Sequence, residues 1–177
     1  MYMKKSIVNS IKAIKGKYDV WSVDTVINME INAKSRPSNI TADEEYVYVT
    51  TVGTNALHIY THDGQETAKI QKCAGAEFKR IIDVSLDSRN EQIAMLDLGN
   101  DRLVIHSKDG FHEVTSKELP SKKSPESHLR SLFIDDEGCI HIVQKNPQSS
   151  FVYVLDRDLN IRDQVIIDKE GDFTSFY

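Results

Sequence analysis

A spacing of 46–47 residues between matching β-type runs constrains this chain more than any other feature of it. Val47-Tyr48-Val49, Ile93-Ala94-Met95 and Ile140-His141-Ile142 each alternate, and each follows an acidic turn. Those turns are Asp43-Glu44-Glu45, Asp87 through Glu91, and Asp135-Asp136-Glu137-Gly138. Self-similarity at a fixed period of this size marks a repeat architecture, in which each unit buries its apolar face against the next.

A second β-type run follows each first one after a short polar break: Leu57 to Tyr60, Leu103 to His106 and Val152 to Leu155. The breaks carry Gly53, Gly99 and Pro147, residues suited to hairpin loops. Further turns follow at His62-Asp63-Gly64, Lys108-Asp109-Gly110 and Arg157-Asp158-Leu159-Asn160. Gly accepts the positive φ of such a turn, so Leu159 in the third copy predicts a different turn there. Each unit then reads as four antiparallel strands, a to d. Strand a is expected near Ser38–Ala42, Ile82–Leu86 and Arg130–Ile134, and strand d near Glu66–Gln71, Phe111–Thr115 and Ile161–Ile167. Four antiparallel strands at this pitch make a propeller blade, whereas a sandwich of about twelve strands predicts no fixed pitch.

The expected fold is therefore all-β: a β-propeller arc of about three four-stranded blades, at about 36–72, 80–119 and 128–168, within a segment 21–177. Val23 to Ile31 reads as a lone d-type strand before the first blade. The basic segment 1–20 places Ile7, Ile11 and Ile14 at helical spacing, but Asn9, Lys12 and Lys15 interrupt any signal-peptide core. No run approaches the roughly 20 apolar residues that span a bilayer, so a soluble protein with no membrane partner is expected. Cys73 and Cys139 match no metal spacing and read as buried, reduced thiols, from which a cytoplasmic location is expected.

Motifs for chemistry are sparse. His58 and His62 lie four apart, yet on strand and turn, and the other four histidines show no ligand spacing. Asp97, Asn100 and Arg102 form the strongest local cluster. They read either as a ligand contact on a loop or, preferably, as a turn whose side chains bond local backbone. Trp21 reads as a packing residue. No catalytic residue, cofactor or metal site is expected.

The middle copy, Ile93-Ala-Met-Leu-Asp-Leu-Gly-Asn-Asp-Arg-Leu-Val-Ile-His-Ser-Lys-Asp-Gly110, resembles the NHL repeat. In that family a strand ends in Asp, and an Asn-containing stretch leads to a closing Asp-Gly. The first copy is similar from Arg36-Pro37 to Asp63-Gly64, but has Thr51 where the family has Asp. The third keeps Asp135 through Val143 and loses the Asn and the final Gly. The likeness covers about 130 residues. Family members include the propellers of tripartite-motif proteins, which implies a protein- or RNA-binding platform. No RING or B-box zinc pattern is present, so ligase activity does not carry over.

Net charge is −5, which as a bulk field disfavours nucleic acid and anionic membrane. Drawn onto blades, however, the charge separates. The d–a connectors carry Lys34, Arg36, Lys72, Lys79, Arg80, Lys117, Lys122, Lys123 and Arg130, whereas the a–b and c–d turns carry the acidic residues. The expected function is a non-catalytic interaction scaffold that binds a protein or RNA partner. The expected binding residues are Arg36, Lys72, Lys79, Arg80, Lys122, Lys123 and Arg130 on the basic-leaning face. The alternatives are part of a metal-dependent propeller hydrolase or lyase, or a truncated propeller without independent function. Three blades do not close a ring, so a homodimer completing six blades is a further expectation.

Overall fold

The computed structural model describes residues 36–119, 128–146 and 149–167. The N-terminal segment 1–20, the strand expected at Val23–Ile31, Trp21, Lys122 and Lys123 lie outside them, and so does the side chain of Arg130.

Alternation of branched apolar and polar residues, broken by tight turns, folds each repeat into one meander. The first blade consists of β1 (Arg36–Ala42), β2 (Tyr46–Val52), β3 (Ala56–Thr61) and β4 (Glu66–Ile70). A small hairpin, β5 (Lys72–Cys73) and β6 (Ala76–Glu77), occupies the connector to the second blade. That blade is β7 (Ile81–Asp87), β8 (Gln92–Asp97), β9 (Arg102–Ser107) and β10 (Glu113–Glu118). The third is β11 (His128–Ile134), β12 (Ile140–Lys145), β13 (Ser150–Leu155) and β14 (Ile161–Ile167). Each blade is a four-stranded antiparallel sheet whose strand order follows the sequence.

Two apolar layers hold consecutive blades together. Tyr48, Leu57 and Ile59 of the first blade pack with Val84, Ile93, Met95 and Val104 of the second. The opposite face of the second blade sends Ala94, Leu96, Leu103 and Ile105 against Leu132, Ile140, Ile142 and Leu155 of the third. Period-2 alternation thus serves both faces of the middle blade. Each fully buried Leu or Ile contributes about 2 kcal/mol by leaving water.

The blades stack with β1, β7 and β11 side by side, and each of these inner strands carries a bulge at an equivalent place. The register slips between Pro37 and Asn39, between Ile81 and Asp83, and between Leu129 and Ser131. Asn39, Asp83 and Ser131 therefore occupy one rung across the three blades.

Two sequence expectations need correction. Strand d of the second blade begins at Glu113, not Phe111, because Gly110 and Phe111 both take positive φ and belong to the turn. The third c–d turn does not differ from the first. Leu159 adopts φ 62° where Gly64 has φ 90°, and both amides bond back three residues, to Asp156 O and Thr61 O at 2.9 Å. Burial of the Leu159 side chain offsets the backbone strain.

Candidate functional site

The end of β8 organises one face of the disc, the one where d–a connectors and b–c loops emerge. Asp97 is fully buried there, and its Oδ1 accepts the backbone N–H groups of Lys79 and Arg80 at 3.1 and 3.2 Å. Its Oδ2 accepts Asn100 Nδ2 at 2.6 Å and Arg102 Nε at 3.0 Å. The Arg102 guanidinium then donates to the carbonyls of Cys73 and Ala76 at 3.0 and 3.1 Å, clamping the β5–β6 hairpin. Asn100 adds a bond to Glu77 O at 2.9 Å. Fully buried carboxylates are tolerated when every lone pair is used and a cation stands close, and both conditions hold here.

Asp97, Asn100 and Arg102 thus bond backbone, as preferred from sequence, but that backbone lies on the preceding connector. The consequence is positional. Lys79 and Arg80 are held by their own amides and project exposed side chains. Lys72 is exposed on β5, and Arg36 is exposed at the start of β1. Ser38 Oγ reaches Ile81 O at 3.4 Å, which sets the first turn of β1 beside the residue after Arg80. Among the described residues none of these four cations forms an ion pair. Four of the seven expected binding residues are therefore seen on one face; Arg130 contributes only its place on β11.

On the other face Lys108 and Arg157 are engaged by acidic or carbonyl oxygens, while Arg89 stays exposed. Lys108 Nζ lies 2.9 Å from Asp43 and 2.8 Å from Glu91, joining the first two blades. Burial alone would push the Asp43 carboxyl up, but Lys108, the Tyr46 and Glu45 amides and the Tyr48 hydroxyl outweigh it and hold its pKa at about 2. Arg157 donates to Glu137 O at 3.0 Å, and His141 meets Asp135 at 2.7 Å. Glu44, Glu45, Asp136 and Asp158 remain exposed, so this face is acidic.

Asp83 was not singled out from sequence, although an Asp inside Ile-Ile-Asp-Val-Ser-Leu is its signal. It is 3 % exposed and gathers donors from three blades: Asn39 Nδ2, its neighbour Val84 N at 2.9 Å, Ser131 Oγ at 2.9 Å and Leu132 N at 2.7 Å. Burial pushes its carboxyl up, against the lowering pull of those bonds. No group of three or more His, Cys, Asp or Glu placed to hold a metal ion occurs among the described residues. Cys73 and Cys139 are buried and unpaired, and burial with Glu113 nearby pushes the Cys73 thiol up to about 11.

No family model matches the chain, and neither does any curated protein. Solved structures do. A streptogramin B lyase shares 18 % identity at a TM-score of 0.58, over 76 % of this chain and 41 % of that one. The Pan2 WD40 domain of Neurospora crassa shares 12 % at 0.57, over 80 % and 39 %. A periplasmic gluconolactonase of Pseudomonas aeruginosa shares 9 % at 0.55, over 77 % and 42 %. The fold is a β-propeller arc. The chain spans about two-fifths of the length of these structures.

Proposed function

We propose that this propeller arc is a non-catalytic interaction module that binds an acidic segment of a partner protein. One observation carries the reading: Arg36, Lys72, Lys79 and Arg80 share a face, are exposed and lack ion-pair partners among the described residues, and two of them are fixed by Asp97. The NHL-like motif supports it, since its Asp and Asn are the residues that tie the connector down. A short acidic segment engages the patch alone. A long polyanion such as RNA also meets the field of a chain with net charge −5 and an acidic opposite face.

The test is binding of a ten-residue Asp/Glu-rich peptide and of a ten-nucleotide single-stranded RNA to the protein and to an Arg36→Glu/Lys79→Glu/Arg80→Glu variant. Peptide binding that weakens with salt and disappears in the variant supports the reading. Equal binding by the variant, or a preference for RNA, overturns it. The likeness to a lyase and a gluconolactonase favours a second reading, part of a metal-dependent enzyme, which stoichiometric metal in purified protein would support.

We also read the arc as part of a ring completed by a second copy. Ile40 lies at the margin of the face of the first blade turned away from the second, beside the buried Val47, Val49 and Tyr60, and Phe133 and Val165 lie on the outward face of the third. Ile40, Phe133 and Val165 are 60 %, 43 % and 47 % exposed. Since every described blade joins the next through these two kinds of face, one end of the arc complements the other.

A further inference from the structure

A cleft of about 800 Å³ opens between the first and second blades at the rim of the arc. One side of it is built by three consecutive residues of β4, Ala68, Lys69 and Ile70, continued by Gln71 and Lys72. Side chains alternate between the faces of a strand, so an unbroken run of lining residues means that the edge of the backbone, not one face, borders the cleft. β4 is the outermost strand of its sheet, and among the described residues nothing pairs with its outer edge. Its remaining N–H and C=O groups are a template for one more strand.

Between that edge and the second blade the lining includes Ile70, Phe78 and Phe111, with His106 and Glu113 beyond. His106 is 3 % exposed. Its Nδ1 faces the carbonyl of Phe111 at 3.1 Å, which requires the proton on Nδ1. Burial pushes the imidazole towards its neutral form, against the raising pull of Phe111 and Glu113. The lone pair at Nε2 is then an acceptor, and among the described residues it has no partner. A buried acceptor left without a donor is costly, and interiors rarely keep one.

An exposed strand edge, an aromatic-lined gap and an orphaned acceptor ask for one kind of occupant. We propose that the cleft receives an extended peptide of a partner protein, which pairs with β4 and inserts a tyrosine between the blades. A tyrosine ring matches Phe78, Phe111 and Ile70, and its hydroxyl supplies the donor that His106 Nε2 lacks. A phenylalanine fills the same space without satisfying the ring nitrogen, and an aliphatic residue leaves both demands unmet. Lys72 borders both this site and the cationic face, but Arg36, Lys79 and Arg80 do not line the cleft, so either site can fail alone.

The experiment uses the 177-residue chain and a set of nine-residue peptides with β-branched flanks and Tyr, Phe, Leu or Ala at the centre. Affinities are read by fluorescence anisotropy. The Tyr peptide is expected to bind most tightly, with a roughly tenfold loss for Phe, the worth of one buried hydrogen bond. Methylation of alternate backbone amides in the Tyr peptide is expected to abolish binding by blocking strand pairing. In a His106→Leu protein the Tyr peptide should fall to the Phe level, while the Phe peptide stays within twofold. The Arg36→Glu/Lys79→Glu/Arg80→Glu protein should bind the Tyr peptide normally. If His106→Leu does not fold, slowed amide exchange at Ala68–Ile70 of the native protein with saturating Tyr peptide reports the same pairing. Equal affinity for all four central residues, no effect of methylation, or no binding at millimolar peptide would overturn the proposal.

Discussion

Asp83 accepts the hydroxyl of Ser131 at 2.9 Å, across the boundary between the second and third blades and 48 residues along the chain. The other carboxylate oxygen takes Asn39 from the first blade, so one buried side chain ties three inner strands together. Removing it strands the Leu132 amide and two side chains without a partner. Asp83→Ala is expected to lower unfolding stability by about 3 kcal/mol in urea titration. Asp83→Asn keeps the shape but turns an NH₂ towards donors, and should cost less, about 1–2 kcal/mol. Equal stability of both variants and the native chain would show that the rung is not a clasp.

Gly99 tests the second clasp, between the b–c loop of the middle blade and the connector ahead of it. A Cβ there would overlap Lys79 Cβ and lie 3.1 Å from the Lys79 carbonyl carbon. The connector has to move, and with it the amides that Asp97 holds. Gly99→Ala is expected to destabilise the chain by about 2 kcal/mol and to weaken capture of the acidic peptide at the cationic face. Thermal melts and the same binding assay check both halves.

The blades were legible in the sequence because turn chemistry and period-2 alternation are local signals. Val47-Tyr48-Val49 and its two counterparts fell inside β2, β8 and β12, and the Asp-Gly turns fell between strands c and d. What was not legible depends on contacts between blades. The bulges that align Asn39, Asp83 and Ser131 leave no pattern in any one strand. Lys72 to Glu77 carry no strand signal, and the β5–β6 hairpin forms because Arg102, 29 residues beyond Cys73, bonds its carbonyls. His106 in Leu-Val-Ile-His reads as an ordinary core residue. Only the carbonyl of Phe111 beside one nitrogen shows that the other is orphaned.

Acid should loosen the joint between the first two blades. The folded pKa of Asp43, about 2, lies below its ordinary value of 3.8. A carboxylate depressed in the folded state contributes stability above its unfolded pKa and loses it as pH falls through the folded one. The contribution, about 2 kcal/mol, is complete near pH 5 and should fade between about pH 4 and 2. Lys108→Met removes the main cation and should flatten that part of the stability–pH curve, measured by urea unfolding at each pH. A curve unchanged by the substitution would show that the Asp43–Lys108 pair does not stabilise the joint.

Ring completion makes a prediction about mass. Light scattering at micromolar concentration should give a two-chain species whose size stops growing with concentration, since a closed ring leaves no free face. Ile40→Glu and Val165→Glu each alter one of the two joining faces, and each should yield monomer. A native monomer, or a ladder of ever larger species, contradicts closure.

Leu159 sets backbone strain against burial in a single side chain. Its φ of 62° costs about 1 kcal/mol relative to glycine, which the first turn uses at Gly64. Its side chain is 6 % exposed and packs in the cluster joining the second and third blades, which contributes about 2–3 kcal/mol. Burial wins by this comparison, so Leu159→Gly should destabilise by about 1–2 kcal/mol despite relieving the turn. The Gly64→Leu exchange meets the same strain at a half-buried turn position without a cluster to enter. It should cost about 1 kcal/mol with nothing returned. Loss of stability in both directions is the expected result of urea titration, and a stabilised Leu159→Gly chain would reverse the ranking of the two effects.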